Sequence, residues 1–159
     1  MIMKYALKIL SILLICVGSF SCSNNELEEP TGNELEPIQI AQGNLHGNGT
    51  ESLYKQNIVI TNKSQWDDLK NAVDKANKTT NTFLETEIDF TTYQIIAVFE
   101  EIKGNGGWSI DIFKITETSN SIIVFVKNIK KGDDTCVMAQ PFHIIKISVS
   151  TKNIKFVRE

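Results

Sequence analysis

From Tyr93 to Val157 the chain alternates apolar and polar residues in short runs, broken by clusters of Gly, Asn, Asp and Lys. A period of two over such short runs predicts strands. The runs cover 93–102, 108–116, 121–129, 141–149 and 154–157, joined at 103–107, 117–120, 130–135 and 150–153. Joints this short and evenly spaced predict an antiparallel meander. In the second run Trp108, Ile110 and Ile112 fall on one face and Phe113 and Ile115 on the other; in the third, Ile122, Val124 and Val126 oppose Ile123 and Phe125. Apolar residues on both faces require both faces to be at least partly covered.

Upstream, Ile38 and Ile40 begin a short strand that ends near Gly43, and 52–61 forms another around Ile58, Val59 and Ile60. Between these and the meander the period changes to that of a helix. Trp66, Leu69, Val73 and Ala76 recur on one face, with Ser64 as a cap and Asp67 three residues later completing a capping box. The polar stretch 77–82 ends it. The predicted fold is α+β: a mainly antiparallel β-sheet, a meander or a sandwich-like fold-over of it, with one packed helix at about 64–77. Trp66, Leu69, Val73, Trp108, Ile110 and Val124 are the expected core.

The first 36 residues have a different character. Lys4 and Lys8 precede an apolar run at 9–17, then come Gly18, Ser19, Phe20, Ser21 and Cys22. This reads as a secretory signal over 1–21, with an apolar run too short for the roughly 30 Å of a bilayer. The residues before Cys22 resemble a bacterial lipobox, with Phe20 as a departure. That resemblance implies cleavage before Cys22, a lipid on its thiol, and a place in the bacterial envelope, in the outer membrane and on its surface. Ordinary secretion with Cys22 free, or an uncleaved anchor, are the alternatives. Residues 22–36 carry Glu26, Glu28, Glu29, Glu34 and Glu36 with almost nothing apolar, and read as an acidic linker. A single domain then spans 37–159.

Charge narrows the function classes. Without Lys4 and Lys8 the chain keeps 14 basic residues against 19 acidic, and Arg158 is the one arginine. That balance speaks against nucleic acid as a partner. Cys16 falls in the signal and Cys22 at the lipid site, which leaves Cys136 alone and no disulfide framework; burial as a small hydrophobe is the expectation for it.

Residue chemistry points to no reaction. Gly104, Asn105, Gly106 and Gly107 lie between two strands, so no helix N-terminus follows to hold a phosphate. They read as a turn that needs positive φ. His143 sits within an apolar strand and reads as a structural hydrogen-bond partner, and His46 stands alone in a polar loop. Asp133 and Asp134 follow Lys130, Lys131 and Gly132 as a solvated turn. The expectation is a binding domain with no catalytic residues, no metal and no cofactor.

Several motifs carry a family resemblance. Asp89-Phe90, then Ile95 to Phe99, then Gly106-Gly107-Trp108 opening an alternating strand, and finally Gln140-Pro141-Phe142-His143 running to Ile147, are similar to the PrcB family of protease-complex subunits. Ser64, Gln65, Trp66 and Leu69 fit the helix before that domain, and the core of the resemblance spans 89–147. It implies a non-catalytic lipoprotein that binds or stabilises an envelope or surface protease. Lys130 to Thr135 replace the family's Pro/Gly-rich loop. The Gly-rich loop beside Trp108 also resembles the inhibitory wedge of chagasin-type cysteine-protease inhibitors. A surface that binds small ligands or glycans, using Trp108, Tyr93 and Phe142 as platforms, is the alternative from another class.

The strand reading places the partner surface. Run two begins at Trp108 and run three ends at Ile129, so an antiparallel pair brings their loops to one sheet edge. The expected site is Gly104, Asn105, Gly106, Gly107 and Trp108, offering free backbone groups, together with Lys130, Lys131, Asp133 and Asp134.

Overall fold

The computed structural model describes residues 32–159; the signal and Cys22 lie outside them. Its strands form two four-stranded sheets. One orders β1 (Asn33–Glu34), β5 (Trp108–Glu117), β6 (Ser121–Lys131) and β8 (Asn153–Arg158); the other orders β2 (Ile38–Leu45), β7 (Gln140–Ser148), β4 (Tyr93–Phe99) and β3 (Gln56–Ile60). The sheets stack, and α1 (Lys63–Val73) covers the free face of the second. The architecture is the expected α+β fold, largely antiparallel, with one packed helix.

A plain meander is not what forms. Only β5 and β6 are joined by a short turn as neighbours; the chain crosses between sheets from β4 to β5, from β6 to β7 and from β7 to β8. β8 then pairs with β6 in parallel. The reason lies in β7, whose first eight residues are all buried. A strand apolar on both faces needs a central place, and β7 takes it between β2 and β4.

The layers follow from alternation. Ile96, Val98, Ile145 and Ile147 of one sheet meet Ile110, Ile112, Ile115, Ile122, Val124 and Val126 of the other. On the opposite face Ile40, Ile60, Ile95, Phe99, Phe142 and Ile144 pack under Trp66, Leu69 and Val73. Ile115 was expected to face away from Ile110 and Ile112. A register shift between Ile112 and Lys114 inserts one residue and returns it to the inner face.

The helix starts slightly earlier than expected. Asn62, not Ser64, is its cap and accepts the Gln65 N–H at 3.0 Å, while Gln65 accepts the Thr61 N–H at 3.1 Å. Asp67 forms ion pairs with Lys63 and Lys70 instead of closing a box. Within the stretch read as linker, Asn33 and Glu34 pair with Glu117 and Thr116, and the Leu35 N–H reaches Ile115 O at 2.9 Å.

Side chains close the corners where the sheets approach each other. β1 covers only the end of the β5 edge. Beyond it Gln42 donates to Ile110 O at 2.7 Å, Asn44 donates to Trp108 O at 3.1 Å, and Ile112 N–H donates to His143 Nδ1 at 2.9 Å. Three of the edge groups that invite foreign strands are thereby occupied. At the other corner Arg158 of β8 reaches Glu100, Asn57 and Phe99 O.

Candidate functional site

Trp108 pairs with Lys131 and Ser109 with Lys130, so the two predicted loops do share one end of the molecule. They are more than neighbours. Asn105 donates to Asp133 O at 2.6 Å, Asp133 N–H donates to Gly106 O at 3.0 Å, and Gly106 N–H donates to Thr135 O at 3.3 Å. Trp108 Nε1 donates to Asn105 Oδ1 at 2.9 Å. The Asp133 carboxylate accepts from the amide and hydroxyl of Thr135, which hold its pKa below the usual carboxylate range.

Glycine is required at two points of this latch. Gly107 has φ of 72°, and a Cβ there would lie 2.6 Å from the Asp133 carboxyl carbon. Gly132 has φ of 81° and fits against the Trp108 indole. The turn with positive φ expected from sequence is thus present at Gly107, one residue before the strand.

Other expectations change. Gly106 spends its N–H and C=O on the facing loop, so they are not free for a partner. Asn105 is the tie between the loops. Lys130 and Lys131 are exposed on the end of β6, with Asp134 exposed beyond them. Trp108 is half-buried instead of core, and Lys103 Nζ lies 4.6 Å from its ring centroid. Cys136 is exposed, not buried. Phe142 is buried under α1 and Tyr93 lies beneath Lys146, which removes two of the three aromatic platforms.

Sequence reasoning missed three exposed apolar residues on the segments that adjoin the latch. Lys103 and Ala139 exchange backbone hydrogen bonds at 2.8 and 3.1 Å, an antiparallel bridge that brings the segment after β4 alongside the one before β7. Val137 is 64 % exposed, Met138 48 % and Ile102 37 %. The signal was the run Cys136, Val137, Met138 next to a polar loop, which reads as a lead-in to β7. Among the described residues no three His, Cys, Asp or Glu side chains gather as a metal site, and no helix is long and apolar enough to cross a membrane.

The buried polar centre of the domain is His143. Its Nδ1 accepts from Ile112 N–H, which requires the neutral ring, while Asp111 Oδ1 sits 3.1 Å from the same atom. Nε2 is buried with no partner among the described residues. Burial lowers the His143 pKa, and Asp111 raises it by less, so the net displacement is below the ordinary 6.5. A histidine with a depressed folded pKa gives stability that is full above the unfolded value and is lost as pH falls from there toward the folded value. Urea unfolding midpoints should therefore drop on acidification below about pH 6.5. His143→Gln, which keeps an acceptor and cannot titrate, should flatten that limb, and an unchanged limb would assign it to other groups.

No family model matches the chain, and no curated protein or solved structure matches it significantly.

Proposed function

We propose that this domain is a non-catalytic binding module of a bacterial envelope lipoprotein, anchored through Cys22, that serves as an accessory or stabilising subunit of an envelope protease. The observation that carries protein binding is the exposure of Ile102, Val137 and Met138 on the two segments joined by the Lys103–Ala139 bridge, next in the chain to the latched double loop. Exposed apolar side chains on bridged segments, with the exposed Lys130, Lys131 and Asp134 on the adjoining loop, have the make-up of an interface core with a polar rim. The internal latch lowers the ordering cost of binding, because the loops are already tied to each other. The PrcB resemblance supports a protease as the partner.

Affinity capture of the anchored protein from its own envelope, followed by mass spectrometry, tests this reading. The paired change Val137→Asp and Met138→Asp replaces exposed side chains only, so thermal melting should be unchanged while the captured protease falls at least tenfold. Full recovery by that variant would remove the loop end from consideration. Asn105 is unsuitable for such a test, since its replacement would open the latch.

A further inference from the structure

A second surface lies along the opposite edge of the helix-covered sheet. Among the described residues β3 is an edge strand, paired only with β4. The direction of its backbone groups follows from the register. Glu100 N–H donates to Pro141 O, so the alternate residues Phe99, Ala97 and Ile95 of β4 turn to β3 and meet Gln56, Ile58 and Ile60. Asn57 and Val59 therefore turn their N–H and C=O groups outward. Thr61, next in that series, has its N–H taken by Gln65 from the helix. No backbone group of Asn57 or Val59 has a partner outside the β3–β4 ladder among the described residues. This contrasts with the β5 edge, where Gln42, Asn44 and His143 each take one backbone group beyond β1.

Beside the open edge runs a groove of about 320 Å³ between β3 and α1. Ile58, Ile60, Leu69 and Ala72 form its floor and walls, with Gln56 and Asp68 at its rim. Lys63 and Lys70 both turn to Asp67, so Asp68 has no cationic partner among the described residues.

We propose that this groove takes an extended segment of another protein as an added strand on β3, with an aliphatic side chain seated between Ile58 and Leu69 and a basic side chain facing Asp68. Open main-chain groups supply the pairing, and a pocket for alternate side chains supplies the selectivity. The occupant is set by charge as well as shape. The chain's own acidic segment, with Glu26, Glu28 and Glu29, would bring carboxylates toward Asp68 and is disfavoured. The site shares with the preceding reading only the premise that the domain binds protein, and it lies on different elements.

The probe is a displayed library of random twelve-residue peptides selected on the full-length chain. Enriched peptides should combine an aliphatic residue with Lys or Arg. Their affinity should fall at least tenfold for Asp68→Lys and for Val59→Pro. Proline at Val59 removes an N–H that faces outward, so the β3–β4 ladder is kept; Asp68→Lys changes an exposed helix position and carries no folding risk. N-methylation of the selected peptide at alternate residues should cost about tenfold, in line with one lost hydrogen bond, and at the intervening residues far less. Absence of enrichment, or binding retained by both variants, would overturn the proposal. Self-association of the chain abolished by Val59→Pro would also overturn it, by giving the groove to a second copy. The Val137→Asp, Met138→Asp variant should keep the peptides. Loss of envelope capture with peptide binding intact, or the reverse, tells which of the two surfaces fails.

Discussion

Trp66→Ala is expected to destabilise the domain by about 3–5 kcal/mol, the range for a large aromatic removed from a filled core. Trp66 is 1 % exposed and is the largest side chain that α1 lays on the sheet. Its ring stacks on Phe83 with centroids 5.8 Å apart, and its Nε1 donates to Thr86 O at 2.8 Å. The indole thus fixes both the helix and the long connection that follows it. Truncation leaves a cavity among rigid strands, where little can move in to fill it. Trp66→Phe keeps most of the packing and loses the N–H bond; because Lys70 Nζ also reaches Thr86 O at 3.3 Å, that carbonyl stays satisfied and the cost should be about 1 kcal/mol. Urea unfolding of both variants checks the pair. A loss below about 1 kcal/mol for the alanine variant would mean that the helix face contributes little to the core.

The helix was legible because its period differs from everything around it. The spacing of Trp66, Leu69, Val73 and Ala76 predicts one buried face; the first three are buried, whereas Ala76 lies past the end of α1 at Val73 and is half-buried. The strands were legible for the same reason, and so was the convergence of the Gly104 and Lys130 loops at one end, which needs only antiparallel geometry. The sandwich-like alternative was legible too, from the apolar residues on both faces, and two packed sheets are what forms; which strands share a sheet was not legible. Alternation tells which residues share a face but not which face meets which, and the signal that β7 is central, its unbroken burial, looks in sequence like any apolar run. The bulge that returns Ile115 inward was hidden because an inserted residue leaves composition untouched. At the loop end, sequence supplied the residues but assigned their roles by type. Glycine suggested free backbone, whereas Gly106 is tied to Thr135 and Gly107 is shaped to admit Asp133. The exposure of Ile102, Val137 and Met138 was missed because exposure of an apolar residue depends on what covers it, and here the described residues leave all three open.

Arg158→Met should cost about 3 kcal/mol, the low end of the range for breaking a buried ion pair. Glu100, 2 % exposed, directly follows β4 and accepts from Arg158 Nη1 at 2.7 Å, while Lys55 Nζ lies 2.6 Å from its other oxygen and the Glu101 N–H donates to it at 3.0 Å. Arg158 also donates to Asn57 at 2.6 Å and to Phe99 O at 3.2 Å, so one guanidinium joins the last strand of one sheet to two strands of the other. Its loss strands a carboxylate that only Lys55 and one amide then stabilise. If that uncompensated charge is the source of the cost, Arg158→Met combined with Glu100→Gln should be less damaging than Arg158→Met alone, a coupling that a double-mutant cycle measures. Equal losses in the single and double variants would place the cost in packing. The pH profile gives an independent reading. Burial raises the Glu100 pKa, but the Lys55 bond, the Glu101 amide and the Arg158 charge together bring it below its ordinary 4.5. A depressed carboxylate gives stability that is full above the unfolded value and is lost as pH falls through the folded one. Without Arg158 the folded value moves up toward the unfolded one, so the variant should lose less stability than the parent on acidification below pH 4.5. A variant whose acid limb matches the parent's would show that Arg158 does not hold Glu100 in its charged form.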